Sequence, residues 1–227
     1  MHRVMNARAS FAVVSNWSWR RFLTPLLTDC RGQPASGKTA IAAKIAVESG
    51  FPFVRVISAD EMIGYSDVSK STQIHKIFMD SYRSPLSLIF LDDIERLIEY
   101  VPIGPRFSNS VLQTLMILLK KIPADEGRKL LIIGTTSSGH LLEDLGLVQA
   151  FSVTQTVPLI SEGKDFYEVL RSAAGMSRED AKAIARQIKK PIGIKQLLMV
   201  SEMSKQGSDD GSADVNVFME CLHAAGY

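Results

Sequence analysis

"GQPASGKTA", from Gly32 to Ala40, is the stretch on which the reading of the whole chain turns. Gly32, Gln33, Pro34, Ala35, Ser36, Gly37, Lys38 and Thr39 spell G-x-x-x-x-G-K-T, and Ala40 opens an Ala-rich run behind them. In a loop of this kind backbone N–H groups wrap phosphate oxygens, the lysine meets the outer phosphates, and the hydroxyl ligates Mg²⁺. The context favours a phosphate-binding loop over a chance Gly-rich turn. "FLTPLLTDC", ending at Cys30, has the apolar content of a short strand, and "KTAIAAKIAVESG" has a helical period that ends at Gly50. A helix starting at the loop aims its free amides and its dipole at the anion. The loop therefore predicts a bound nucleoside triphosphate and leaves open whether the triphosphate is broken or only held.

Further along, "FPFVRVIS" (Phe51 to Ser58) reads as a second strand between Gly50 and the Asp60-Glu61 pair. "DVSKSTQIHKIFMDSYRS" spaces Val68, Ile74, Ile77, Phe78 and Tyr82 as on a helix closed by Ser84-Pro85. "LSLIFLDD" is a continuous apolar run too short for a typical helix, as expected of a strand covered on both faces. "SNSVLQTLMILLKKI" predicts an apolar helix whose terminal Lys120 and Lys121 complement its dipole. "RKLLIIGTTS" predicts another buried strand, and "FSVTQTVPL" a last one. Beyond Pro158 only helices are expected: Asp165 to Ala174, Ser177 to Ile188, Ile194 to Lys205 and Val215 to Ala225, with Ser177 and Asp180 as a capping pair. "KQGSDDGSAD" is a polar loop before the last of them.

Alternating strands and helices imply an α/β fold with a parallel sheet sandwiched by helices, its ligand at the strands' carboxyl ends. Three segments are expected: a basic N-terminal arm over 1–22, a P-loop nucleotide-binding domain over 23–160, and a small helical lid domain over 161–227.

With 227 residues and a formal net charge of +2, nothing in the charge balance asks for nucleic acid. Cys30 and Cys221 are too few for a disulfide framework or a zinc site, and a reducing compartment is expected. No apolar run reaches the roughly 18 residues of a membrane span, so no stable membrane insertion is expected. The first acidic residue is Asp29, and Arg3, Arg8, Arg20 and Arg21 precede it among serines. That composition also describes an organelle transit peptide, a minor alternative to a plain basic arm.

Asp92 and Asp93 follow the apolar Leu88 to Leu91, where a carboxylate would face the loop and orient Mg²⁺. Asp92 is assigned that metal role together with Thr39. Asp93 is the candidate general base, but its side chain is one methylene shorter than glutamate, and a displacement of about 1 Å can cost on the order of a hundredfold in rate. Its other reading is a charge in the first turn of a short helix from Ile94 to Ile98.

The set "GQPASGKT", "LIFLDDIERLIEYVPIGPRFSN", "KLLIIGTTS" and "IGIKQLL", in this order and followed by helices, resembles an AAA+ ATPase module. It is most similar to the second AAA domain of the vesicle-fusing ATPases, from about Gly32 to Lys205. The resemblance implies the cofactors ATP and Mg²⁺ and contacts along Gly32 to Ala40. It implies Asp92 as the Walker B acid, Thr136 or Ser137 at the first polar sensor, where many active relatives have asparagine, and Lys195 at the second sensor, where arginine is commoner. A lysine there meets a phosphate as a point charge, without the planar fork.

The resemblance also implies ring partners, other AAA subunits forming a homo-hexamer or joining a longer homologue. SNARE complexes, reached through an adaptor protein, are implied only for the full-length family member, and a cytoplasmic location peripheral to vesicles is expected. "EMIGYSD", Glu61 to Asp67, lies where such rings line a central pore, and a strand-ending turn explains it as well. No arginine occurs between Lys129 and Lys164, where strongly hydrolysing relatives carry the residue that reaches a neighbour's phosphates. Arg106 is the nearest candidate upstream, with a loop-anchoring role as its other reading. Together these features predict an ATP-binding assembly module with weak hydrolysis. The alternatives are an active remodelling motor and a small-molecule kinase; a GTPase lacks support because no N-K-x-D occurs.

Overall fold

The computed structural model of the chain describes residues 26–104, 106–121, 127–206 and 212–227. The basic arm over 1–22 and the middle of the "KQGSDDGSAD" loop lie outside these residues. The described chain divides into two compact units. One comprises residues 26–32 and 38–156; the other comprises Gln33–Gly37 and 157–227.

The first unit is built on five parallel strands: β1 (Leu26–Arg31), β2 (Phe53–Ile57), β3 (Leu86–Leu91), β4 (Lys129–Thr136) and β5 (Val153–Thr156). They lie in the order β2-β3-β4-β1-β5. Helix α1 (Lys38–Glu48) follows β1, and α2 (Asp67–Ser81) follows β2 after a 3-10 turn at Asp60–Met62. α3 (Ile94–Leu97) and α4 (Asn109–Lys120) follow β3, and α5 (Gly139–Asp144) follows β4.

The apolar runs explain the layering. Along β3 and β4 alternate side chains point to opposite faces. Ile89, Leu91, Leu130 and Ile132 join Ile74, Phe78, Val111 and Leu115 from α2 and α4 in one core. Leu88, Phe90, Leu131 and Ile133 join Cys30, Ala42 and Ala46 in the other. Both faces are buried, so the strands read as unbroken hydrophobic sequence. β2 differs because it is an edge: Val54 and Val56 are more than a third exposed although the sequence there is as β-rich as elsewhere.

The topology fixes where a ligand belongs. β1 lies between β4 and β5, with Arg31 paired to Thr136 on one side and Thr156 on the other. The connection leaving β1 runs towards β2, and the one leaving β4 runs towards β5, so the chain departs in opposite directions from these neighbours. Such a switch point opens a crevice at the carboxyl ends, which is where Gly32, Asp92 and Ser137 follow their strands.

The second unit contains α6 (Gly163–Ser172), α7 (Arg178–Gln187), α8 (Ile194–Ser204) and α9 (Val215–Ala224) around Phe166, Leu170, Ile184, Leu197, Phe218 and Leu222. α6 starts two residues earlier than the expected Asp165. The expected cap at α7 is present: Ser177 Oγ accepts from the Asp180 N–H at 3.2 Å and donates to Asp180 Oδ2 at 2.7 Å. Asp214 caps α9 in the ordinary sense, its Oδ1 accepting from the Asn216 and Val217 N–H groups.

Candidate functional site

The site begins where β1 ends. Gly32 donates its N–H to Thr136 O at 3.3 Å, tying the start of the loop to the neighbouring strand. Six residues on, Lys38 opens α1 and is only 5 % exposed, although it is charged. Its Nζ donates to Gly32 O at 2.9 Å and to Ser137 Oγ at 3.1 Å. α1 has eleven residues and no acidic side chain of its own in the first turn, so the helix itself leaves the positive end of its dipole free for an anion. A buried ammonium at the start of such a helix fits a polyanion.

The tip of the loop, Gln33–Gly37, groups with the second unit. Lys195 donates its backbone N–H to Ala35 O at 3.1 Å, while its side chain is exposed, so the amide and not the ammonium holds the loop tip. Gly37 has φ +92°, and a Cβ there would stand 2.8 Å from Ile194 Cγ2. Glycine is therefore needed on two grounds, backbone freedom and space. Ser36 Oγ is buried and has no hydrogen-bond partner. A buried hydroxyl without a partner in this loop leaves a donor free for a ligand such as an anion.

The end of β3 supplies the acids. Asp92 Oδ1 accepts from Thr39 Oγ1 at 2.8 Å and from Thr135 Oγ1 at 2.8 Å. The first contact brings together the two residues assigned to Mg²⁺. Among the described residues no cluster of three or more His, Cys, Asp or Glu could hold a metal by itself. That suits Mg²⁺, which keeps several waters and takes one or two protein ligands beside phosphate oxygens. Thr39 and Asp92 fit that share.

Asp93 is held differently. It adopts the left-handed conformation, φ 47° and ψ 68°, as the residue before α3. Its N–H donates to Thr135 Oγ1 at 2.9 Å, and its Oδ2 lies 3.6 Å from Arg96 Nε. Burial first, then the charges of Glu95 and Asp92, raise its carboxyl above the ordinary aspartate value, while Arg96 and Lys38 oppose them. The result is a carboxylate of raised basicity, with its backbone fixed and one oxygen facing a guanidinium.

Of the two sensor candidates, the structure brings Ser137 to Lys38. Thr136 is fully buried, and its Oγ1 accepts from the Ser138 N–H at 3.0 Å. Two residues missed from sequence complete the arrangement. Thr135, fully buried at the end of β4, joins both aspartates. Glu95 Oε1 accepts the Ser137 N–H at 2.8 Å. The signal for Thr135 was a polar residue near the end of an apolar strand; Glu95 reads as one more acid in a helical first turn. Arg106 pairs its backbone with Val101, consistent with its loop-anchoring reading. Tyr65 is about half exposed and Ile63 more so. Among the described residues no helix is long and apolar enough to cross a membrane.

Comparison with known proteins places this geometry. The model of the ATPase family associated with various cellular activities (AAA) matches residues 30–159. The chain is 44% identical over 210 residues to a vesicle-fusing ATPase of Arabidopsis thaliana, covering 88% of this chain and 28% of that protein. It is 44% identical over 191 residues to one of Dictyostelium discoideum, covering 84% and 25%. A vesicle-fusing ATPase of Caenorhabditis elegans is 34% identical over 207 residues, covering 88% and 25%. The chain thus spans about a quarter of the length of these relatives. With the glycine-containing loop after β1, the paired acids that follow β3 and the polar end of β4 all inside the matched segment, this chain belongs to the AAA family of ATPases.

Proposed function

We propose that the chain is the ATP-binding module of a vesicle-fusing ATPase, supporting assembly of a hexameric ring with weak hydrolysis of its own. The observation that carries the reading is the state of Asp93. Its side chain is a methylene shorter than glutamate, its N–H is tied to Thr135, and its Oδ2 faces Arg96. A base so restrained is poorly placed to follow a water, whereas Lys38, Thr39, Asp92 and Ser137 offer groups suited to a triphosphate and its Mg²⁺. Lys38 would neutralise the outer phosphates, Thr39 and Asp92 would hold Mg²⁺ and its water, and Ser137 would meet the terminal phosphate. Bound Mg²⁺ supplies charge neutralisation across the outer phosphates.

In this reading ATP stabilises the assembled state by mass action. SNARE-complex disassembly through an adaptor is proposed only for the full-length family member, and the proposed location is cytoplasmic, at vesicle surfaces through partners. One feature favours an actively hydrolysing motor instead: the raised basicity of Asp93 improves it as a proton acceptor near neutral pH. Mass measurement with and without Mg-ATP, alongside phosphate release, separates the two. Assembly with little release is expected. A monomer that cleaves ATP briskly, with the rate lost in Asp93→Asn, refutes the holding role.

A further inference from the structure

Glu95 is a charged residue with one use visible and one missing. Its Oε1 accepts the backbone N–H of Ser137 at 2.8 Å, forty-two positions away in sequence. Its Oε2 is buried and has no hydrogen-bond partner. A carboxylate oxygen removed from water without a donor is costly, and Glu95 also disfavours ionisation of Asp93 two residues before it. Packing alone gives no reason for a carboxylate here: the neighbouring Ile94 and Leu97 fill the core from the same short helix.

The reason lies in what Ser137 does. That residue follows the last residue of β4, where strand hydrogen bonding has ended, and its hydroxyl accepts from Lys38 Nζ at 3.1 Å. The position of its Oγ depends on the turn that carries it, and Glu95 Oε1 holds the Ser137 N–H of that turn. A continuous path therefore runs from Lys38 Nζ to Ser137 Oγ, through the Ser137 backbone to Glu95 Oε1, and along α3 to Asp93.

We propose that Glu95 is a positioning residue that clamps the turn bearing Ser137 against the acid-bearing end of β3, and so sets how well the site distinguishes a terminal phosphate from its absence. The proposal rests on the reading of this site as one that holds Mg-ATP. Glu95 does not touch the nucleotide; it acts through Ser137. Loss of the clamp frees the serine turn while the inner part of the phosphate loop, which ADP also uses, stays intact.

The test measures, on the full chain, the affinities of a non-hydrolysable ATP analogue and of ADP, each with Mg²⁺, for wild type, Glu95→Ala and Glu95→Gln. Alanine leaves the Ser137 N–H without its acceptor. The expected result is a loss of about tenfold in affinity for the triphosphate, with ADP changed less than about twofold. Glutamine keeps an oxygen for the N–H and is expected to restore the preference to within about threefold of wild type. Three outcomes overturn the proposal: alanine keeping the triphosphate preference, alanine losing ADP to the same degree as a general packing defect would, or glutamine failing as badly as alanine. A wild-type chain that binds neither nucleotide instead overturns the reading of the site on which the proposal stands.

Discussion

Thr135→Val is the sharpest test of how the acids are held. The two side chains have nearly the same shape, and Thr135 is fully buried, so the change removes one hydroxyl and little else. That hydroxyl donates to Asp92 Oδ1 at 2.8 Å and accepts the Asp93 N–H at 2.9 Å. A hydrogen bond to a charged acceptor contributes about 1.5–3 kcal/mol, and a stranded buried N–H costs about 1–3 kcal/mol. Asp92 keeps its second donor, Thr39, which limits the first loss. The extra methyl returns about 0.8 kcal/mol of apolar burial. The net expectation is a destabilisation of about 3 kcal/mol.

Thr135→Ser is the control, because it keeps the hydroxyl and loses the methyl, at a cost of about 1 kcal/mol. Urea unfolding followed by circular dichroism reads both. With a slope of about 2 kcal/mol/M, valine should lower the midpoint by roughly 1.5 M and serine by about 0.5 M. The order matters more than the values. If valine proves as stable as serine or more so, the hydroxyl is not what joins the two strand ends, and Asp93 is not held through Thr135.

Other consequences are open to measurement. Mg-ATP at a hundred times its Kd should stabilise the chain by about 2.7 kcal/mol, a rise in Tm of roughly 5 °C or more, and Lys38→Ala should abolish the shift in a thermal melt. For Asp93 the folded-state pKa is raised, so the folded form binds the proton more tightly than the unfolded chain, and ionisation opposes folding at pH above the folded value. Asp93→Asn should therefore raise Tm at pH 7, with the gain shrinking as pH falls from the raised folded value towards the ordinary aspartate value and absent below it; a gain independent of pH contradicts this. Tyr82 has a buried hydroxyl with no partner, and burial pushes its pKa up to about 12. Tyr82→Phe, which keeps the ring under Lys121 Nζ at 5.5 Å, should stabilise by about 1 kcal/mol in urea unfolding, and a loss would show that the hydroxyl has a donor or acceptor after all.

Much of the fold was legible because both faces of β3 and β4 are buried. "LSLIFL" and "KLLIIGTT" carry apolar residues at consecutive positions, and no solvated helix tolerates that over so short a length. β2 could be recognised as a strand but not placed, since "FVRVI" has the same β-branched character whether it lies at an edge or inside, and only the pairing order shows its outer face open to water. The short α5 and the 3-10 turns went unread, being one or two turns long with no room for a period to declare itself.

The site was legible where chemistry demands a fixed spacing along the chain and illegible where it is assembled across strands. Gly32 to Thr39 is such a spacing, because one continuous loop must present its amides, a lysine and a hydroxyl together. Glu95 and Thr135 obey no local rule: Glu95 becomes meaningful only when β3 and β4 pair in parallel with Leu91 opposite Gly134, which brings the residues after one strand beside the end of the other. The same register sets Thr135 beside Asp92 and Asp93. An acid in the first turn of a short helix and a threonine in a strand are each commonplace, and the parallel pairing makes them one device. Gly134 shows how tightly that device is built: a Cβ there would stand 2.8 Å from Ile94 Cδ1 and 3.0 Å from Phe151 Cζ, so a side chain at position 134 would have to displace Ile94 and Phe151 beside the acid-bearing turn.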